Sequence, residues 1–418
     1  MKAHWRLWLV GITRRLWFRS TLYGAGAVVT ALLGAVAKPL LPHGIAAQIG
    51  ASAVGNILGI LASSMLAVTT FSLSTMVAAY AAASSSATPR AATLLIEDSA
   101  AQRALATFVG AFLFSIVGLI ALSTGIYGDS GRLILFGATV LVIIMIVGTL
   151  LRWIDQLSRL GRVTETIDRV EAATRKAMAK MIKQPWLGAQ PYVPPPEGAV
   201  AVESRKVGYV AYIDVERLQS VAEREKLQVW AEVAPGSFVA PGRPVARLAA
   251  PVDEDIAHAL AEAFVIDDTR NFEQDPRFGI IVLTEIAQRA LSPAVNDPGT
   301  AIDIIGTVTR LLSQWARDRL EGGEQEILHD RVFMRALLES DYFDDIFTPL
   351  ARDAAPLLEV SIRLQKSLAT LGQMGYPPYR SAASAHAERA LAFAADKALL
   401  ANDMDRLRAL ARWCQPPA

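Results

Sequence analysis

The first third of the chain alternates long uncharged apolar runs with short basic segments, while the remainder interleaves charges with apolar positions at helix and strand spacing. Four stretches meet the roughly 20 apolar residues that a hydrocarbon core of about 30 Å requires of a helix. They run from Leu22 to Leu41, inside the uncharged segment Gly44 to Pro89, from Ala104 to Tyr127 and from Leu133 to Leu151. As continuous helix the second segment would measure about 69 Å. The pattern therefore predicts either a helix projecting beyond the bilayer past Tyr80 or a short re-entrant piece ahead of the span.

Basic residues sort by side. Arg14, Arg15 and Arg19 precede the first span, Arg90 and Arg103 fall in the second connection, and Arg152, Arg159 and Arg162 follow the fourth. The short loops near His43 and "GIYGDSGR" hold only Arg132. The positive-inside rule then puts both termini and the polar remainder in the cytoplasm. Residues 1–20, with Trp5, Trp8 and Trp17, read as an uncleaved basic arm at the interface. Lys38, in "AKPLLP", is the one charge within a span and lies near enough to its outer boundary to snorkel to headgroups.

The second span, "GNILGILASSMLAVTTFSLSTMVAAYAAASSS", is small and hydroxylic. Asn56, Ser63 and Thr70 recur every seven residues and so share one face, with Ser74 one turn beyond Thr70. Two readings fit. The stripe lines a water-filled path when copies gather around an axis, or Gly55 and Gly59, a GxxxG pair, serve close helix packing with the hydroxyls bonded to backbone.

After the fourth span, Ile154, Leu157, Leu160, Val163, Ile167 and Val170 mark an amphipathic helix over residues 153–184 that continues from the span. "KQPWLGAQPYVPPPEG" ends it and marks a domain boundary. From Ala199 to Leu248 short alternating runs such as "VGYVAYI" and "PVARL" flank the turn signals "APGS" and "APGRP". This looks like half of a lipoyl-type or biotinyl-type barrel, although Lys206 and Lys226 lack the hairpin-tip setting of a carrier lysine. A small barrel-like β domain is expected over residues 196–250, with "DVERLQSVAERE" a helix capped by Asp214.

Residues 251–418 read as a helical domain. Ile256, Leu260, Ala263 and Phe264 share one face; "IIVLTEIAQRAL" and "AIDIIGTVTRLLSQWARDRL" follow, then helices from Glu324 to Leu338, Pro356 to Leu371 and Ser384 to Trp413, with "GYPPYR" and "ESDYFDDIF" as turns. The expected fold class is thus membrane α-helical, with four transmembrane helices in residues 21–152, followed by a cytoplasmic α+β region made of a small barrel-like β domain and a helical domain.

Composition sharpens this division. The 418 residues are 52% hydrophobic and 19% charged with a net charge of +1, but up to Arg152 there are about 10 basic and about 3 acidic residues, against about 31 and about 37 afterwards. A basic half suits anionic membrane lipid and an acidic half suits water; nucleic acid is not an expected partner. The one cysteine, Cys414, permits no internal disulfide. Five scattered histidines show no metal-ligand spacing, so neither metal nor cofactor is expected. Nucleophile elbow, phosphate loop and dinucleotide fingerprint are all missing, which argues against an enzyme. The spans also lack the midplane acid or histidine of a coupled transporter.

One stretch invites chemistry. In "RALSPAVNDPGTA", Arg289 to Ala301, Pro293 ends a helix and Asp297 followed by Pro298 has the form of an N-cap and first helical position, with Asn296 in the turn and Thr300 in the first turn. The same corner sets free helix-terminal amides near Arg289 and Ser292, the equipment of a small anion site. Together with "TRNFEQDPRFGIIVLTEIAQ", "GYVAYID" and the four-span front half, it resembles the bacterial predicted membrane proteins catalogued as domain of unknown function 2254, over nearly the whole chain. Where that family tends to read Arg-Thr-x-x-Gln-Asp, this chain has Arg270, Asn271, Phe272, Glu273, Gln274 and Asp275. The resemblance implies a bacterial inner-membrane location and a network in which Arg270, Gln274 and Asp275 meet Arg289, Asn296 and Asp297, ordering the domain, holding an anion or joining subunits. The expected function is a homo-oligomeric channel or conductance regulator with a cytoplasmic gating or ligand-sensing domain, or else a membrane-anchored sensor or scaffold that binds a small ligand or protein.

Overall fold

The computed structural model describes residues 16–36, 51–96, 99–124, 129–159, 161–322, 325–397 and 399–414. The chain divides into two compact units, Met1–Thr166 and Ile167–Ala418. Lys38, the short outer loop near His43 and all of the basic arm before Leu16 lie outside the described residues.

The first unit is helical: α1 (Leu16–Val36), α2 (Ala51–Ser86), α3 (Pro89–Ile96), α4 (Ser99–Ser123) and α5 (Asp129–Arg159). Among the described residues three stretches, Ser52–Ser85, Ala100–Ser123 and Gly131–Arg159, are long and apolar enough to cross a bilayer. The first expected span is described as helix as far as Val36. The apolar window of α4 is 56% buried against 22% for α2 and α5, so α4 is the hub. A Cβ at Gly110 would stand 3.3 Å from the Tyr23 carbonyl oxygen, which is how α1 comes close to α4. Phe108, Met65, Met76, Ile146 and Trp153 form one buried cluster, and the Trp153 indole donates to Ser72 Oγ at 2.9 Å, joining α5 to α2.

Two expectations change here. The long second run is one continuous helix from Ala51, about 54 Å long, so no re-entrant break interrupts its described part. The amphipathic helix does not continue from the last span: α5 stops at Arg159, Gly161 takes φ +83, and α6 (Val163–Lys183) starts anew. A left-handed residue cannot propagate a right-handed helix.

In the second unit, five strands pair in the order β1-β8-β4-β6-β2, with β1 (Ala189–Pro191), β2 (Val200–Glu203), β4 (Val229–Ala231), β6 (Pro244–Leu248) and β8 (His329–Met334). A second sheet has the order β5-β3-β7, with β3 (Gly208–Ile213), β5 (Phe238–Val239) and β7 (Phe264–Asp267). The strands of the expected half-barrel are therefore divided between two sheets, which recruit β1, β7 and β8 from outside Ala199–Leu248. The expected helix from Glu324 is instead β8: Val332 and Met334 are buried while Arg331 and Phe333 are half-buried, a period of two that slots between β1 and β4. Phe264 likewise belongs to β7, paired with Ile213 of β3, and not to the preceding helix.

The helices are α7 (Val215–Arg224), capped by Asp214 as expected, α8 (Glu254–Ala261), α9 (Pro276–Ala290), α10 (Pro298–Glu321), α11 (Glu339–Ala354), α12 (Leu358–Gly372), α13 (Pro377–Ala395) and α14 (Ala401–Leu410). The acidic "ESDYFDDIF" is not a turn but the start of α11, because Tyr342, Phe343, Ile346 and Phe347 fall on one buried face that outweighs its surface charges. "GYPPYR" opens α13, where Pro377 occupies the first turn and needs no amide partner. The expected helix Ser384 to Trp413 is two, α13 and α14. Helix α6 crosses α9 so closely that a Cβ at Gly279 would fall 1.8 Å from Thr174 Oγ1.

Candidate functional site

The stripe on α2 faces away from the chain. Asn56, Ser63, Thr70 and Ser74 are all exposed, whereas Val54, Leu58, Met65, Ser72 and Met76 on the opposite face are buried. Bulky exposed residues flank it, Ile60 and Phe71 to one side and Leu66, Leu73 and Val77 to the other. Ser63 Oγ lies 3.1 Å from the Gly59 carbonyl and 3.0 Å from that of Ile60; Thr70 Oγ1 lies 2.8 Å from the Leu66 carbonyl and 3.0 Å from that of Ala67. Each hydroxyl has one proton, and here its own helix takes it. Ser63 and Thr70 thus turn acceptor oxygens outward, while the Asn56 carboxamide offers both donors and an acceptor, so the stripe is neutral and suited to water. Nothing within the described chain comes within 4 Å of a Cβ built at Gly59, so the GxxxG pair does not pack as a unit inside the chain.

Arg270, Gln274 and Asp275 lie together at the start of α9, the first and last as an ion pair and Gln274 as a tie to β3. The Arg270 guanidinium grips Asp275 with two bonds, 2.7 Å and 2.9 Å, and Asp275 caps α9 by accepting from the Phe278 amide at 3.1 Å. Burial raises the Asp275 carboxyl above the usual carboxylate value, opposed by Arg270 and the Phe278 amide. Gln274 clamps Ile213 of β3 from both sides, accepting from its N–H at 2.8 Å and donating to its carbonyl at 3.2 Å. Asn271 donates to the Ala211 carbonyl at 3.1 Å. The turn at Gly236, φ +86, lies against this pair: a Cβ there would sit 2.2 Å from Asp275 Oδ2. Arg277 extends the network to α11 through Asp345 at 2.8 Å and Asp341 at 2.6 Å.

Arg289, Ser292, Asn296, Asp297 and Thr300 sit elsewhere. They occupy the far end of α9 and the start of α10, about 21 Å from Asp275 along the helix axis; the structure does not bring the two groups together. Asp297 caps α10, accepting from the Thr300 amide at 3.1 Å and the Thr300 hydroxyl at 2.6 Å. The Thr300 hydroxyl, with the amide, holds the Asp297 carboxyl below its ordinary value. Its carboxylate thus fills the position an anion would take at that helix terminus. Ser292 Oγ donates to the Arg289 carbonyl at 2.7 Å, and Asn296 takes the left-handed φ of +50 that turns the chain.

A further arrangement went unread in the sequence. Between α6 and α10 lies an open cavity of about 510 Å³ lined by Asp168, Glu171, Arg175, Lys176, Ala179 and Arg310. The Glu171–Arg175 spacing of four was visible as an intrahelical pair, but nothing local announces Arg310, which follows 135 residues after Arg175.

The family model described as "Predicted membrane protein (DUF2254)" matches residues 13–370. The chain belongs to this family. It is 26% identical over 244 residues to "Uncharacterized protein Mb1321c" of Mycobacterium bovis and, to the same extent, to "Uncharacterized protein Rv1290c" of Mycobacterium tuberculosis. The match takes in 53% of this chain and 45% of each relative, so the chain spans about half the length of the curated relatives it matches. No solved structure matches. Family and apolar helices together make this a membrane protein.

Proposed function

We propose that the protein is a homo-oligomeric inner-membrane channel, or regulator of conductance, in which copies of α2 surround an axis and turn their stripes toward it. One observation carries the reading: the face of α2 opposite its buried face presents Asn56, Ser63, Thr70 and Ser74. A lone helix in lipid gains nothing from such a face, whereas several around an axis gain a hydrated, neutral lining. The flanking Ile60, Phe71, Leu66 and Leu73 are apolar enough to meet neighbouring copies or lipid tails. In this reading α1 is a further span, and the positive-inside pattern of the basic segments supports cytoplasmic termini and a cytoplasmic second unit that gates or senses. The reading is non-catalytic.

The test replaces Cys414 with serine and places single cysteines at positions 63, 70 and 66 of the full chain in membranes. An aqueous, membrane-impermeant thiol reagent is expected to label Ser63→Cys and Thr70→Cys and to spare Leu66→Cys. Particle images of the purified protein are expected to show a closed ring of at least about four copies. Equal protection of the three sites, or a monomer, refutes the channel.

A further inference from the structure

We propose that the cleft between α6 and α10 binds a phosphate-bearing anion, with Arg175, Arg310 and Lys176 as its ligands and Glu171 as the group that positions both arginines.

Glu171 is the unusual residue. Its side chain is 9% exposed, yet it accepts from Arg175 Nη2 at 2.5 Å and from Arg310 Nη2 at 2.8 Å, whose own side chains are 59% and 60% exposed. The carboxylate is inside and the two guanidinium groups reach outward from it. Arg310 is further held by its bond to Thr307 Oγ1 at 3.0 Å. Glu171 uses only part of each fork. Among the described residues, Arg175 keeps its Nε and Nη1 protons, Arg310 keeps its Nη1 protons, and Lys176 meets no acceptor. A planar fork presents paired donors matched to phosphate oxygens, and a fork already oriented loses less freedom on binding.

A fourth cation, outside the lining of the cleft, lies near Arg310. A Cβ at Gly306 would have Arg363 Nη2 at 3.3 Å and Arg310 Nη1 at 3.9 Å, so α12 contributes a guanidinium next to that of Arg310 over a glycine that leaves room for both. Against these four cations stand Glu171, already engaged, and Asp168 and Asp303, which act on Arg310 through their charge. Asp168 lines the cleft and competes with a ligand. The volume of about 510 Å³ exceeds what a bare inorganic ion needs and suits a phosphate carrying an organic group over the small side chains Ala172 and Ala179. That chemistry is shared by a soluble phosphate ester and an anionic lipid headgroup.

The test uses the full chain in detergent and follows its melting temperature with added inorganic phosphate, or with short-chain phosphatidic acid in the micelle, against sodium chloride of equal ionic strength. Stabilisation by phosphate assigns a soluble ligand, and stabilisation by phosphatidic acid alone assigns a headgroup. Arg310→Gln and Lys176→Gln are each expected to weaken binding by about tenfold, and Asp168→Asn to tighten it. Lys176→Gln keeps the test valid if loss of Arg310 leaves the buried Glu171 with Arg175 alone and unfolds the domain, since Lys176 holds no partner in place. No stabilisation beyond the chloride control by either probe, or stabilisation unchanged in Lys176→Gln and Asp168→Asn, overturns the proposal.

Discussion

Gly236→Ala is expected to damage the second unit far more than Gly242→Ala, although the two glycines share nearly the same backbone, φ +86 and φ +85. An alanine in that left-handed conformation costs about 1–2 kcal/mol at either position. At Gly242 nothing lies within 4 Å of the new methyl, so that cost is the whole effect. At Gly236 the methyl would fall 2.2 Å from Asp275 Oδ2 and 2.8 Å from Arg270 Nη2, well inside contact distance. Those are not the loose ends of flexible chains. Asp275 is 2% exposed and is held by Arg270 and the Phe278 amide, so relief means forcing a buried ion pair apart or lifting the turn off β3. Breaking such a pair costs about 3–5 kcal/mol. The total for Gly236→Ala is then about 4–7 kcal/mol. At about 2–4 °C per kcal/mol for a body of this size, it should melt at least about 8 °C below wild type, and Gly242→Ala within about 2–8 °C of it. Melting curves of the detergent-purified full chain, read by near-ultraviolet circular dichroism, make the comparison. If the two variants melt together, the Arg270–Asp275 pair does not hold the turn, and the reasoning fails.

Gly279→Ala should destabilise by about 1–3 kcal/mol through overpacking against Thr174, and Thr174→Ala should recover part of the loss in the double variant; a neutral Gly279→Ala would show that α6 does not cross α9 there. Arg289→Ala should leave the melting temperature nearly unchanged, within about 0.5 kcal/mol, because Arg289 is exposed and remote from the Asp275 network; a large drop would restore the expected link between the two ends of α9. Because the folded state lowers the Asp297 carboxyl, its contribution is present above the unfolded value of about 3.9 and is lost as pH falls through the folded one, so Asp297→Asn should flatten the acid limb of melting temperature against pH, and an unaltered limb would exclude the cap as its source. Ser72→Ala, which removes the acceptor of the Trp153 indole, should cost about 0.6 kcal/mol in the membrane unit, visible as a shift in Trp153 fluorescence; an identical spectrum would place that indole in another environment.

Local periodicity made much of this architecture legible. The apolar runs marked α2, α4 and α5 because twenty uncharged residues have few homes outside a bilayer. The seven-residue spacing of Asn56, Ser63 and Thr70 placed them on one face, since side-chain direction in a helix depends on nothing beyond the helix itself. Asp214 and Asp297 were legible as caps because capping bonds span three residues, whereas Asp275, read only as a member of a charged network, proved to be the cap of α9. Polar patterning misled where buried aromatics decided, as at Tyr342 and Phe343 in α11, and a short alternating run such as β8 cannot declare itself a strand until β1 and β4 are there to pair with it. Which way the α2 stripe faces was settled by α4, whose packing claims Leu58, Met65 and Met76 and leaves the polar line outside. The separation of Arg270 from Arg289 follows from the straight length of α9, and the meeting of Glu171 with Arg310 from the approach of α6 to α10. Sequence alone thus determined the faces of individual helices and their ends, because those follow from bonds a few residues apart. Tertiary structure decided which faces are covered and which distant charges share a cleft, because those depend on the one arrangement of helices and sheets that buries the apolar residues together.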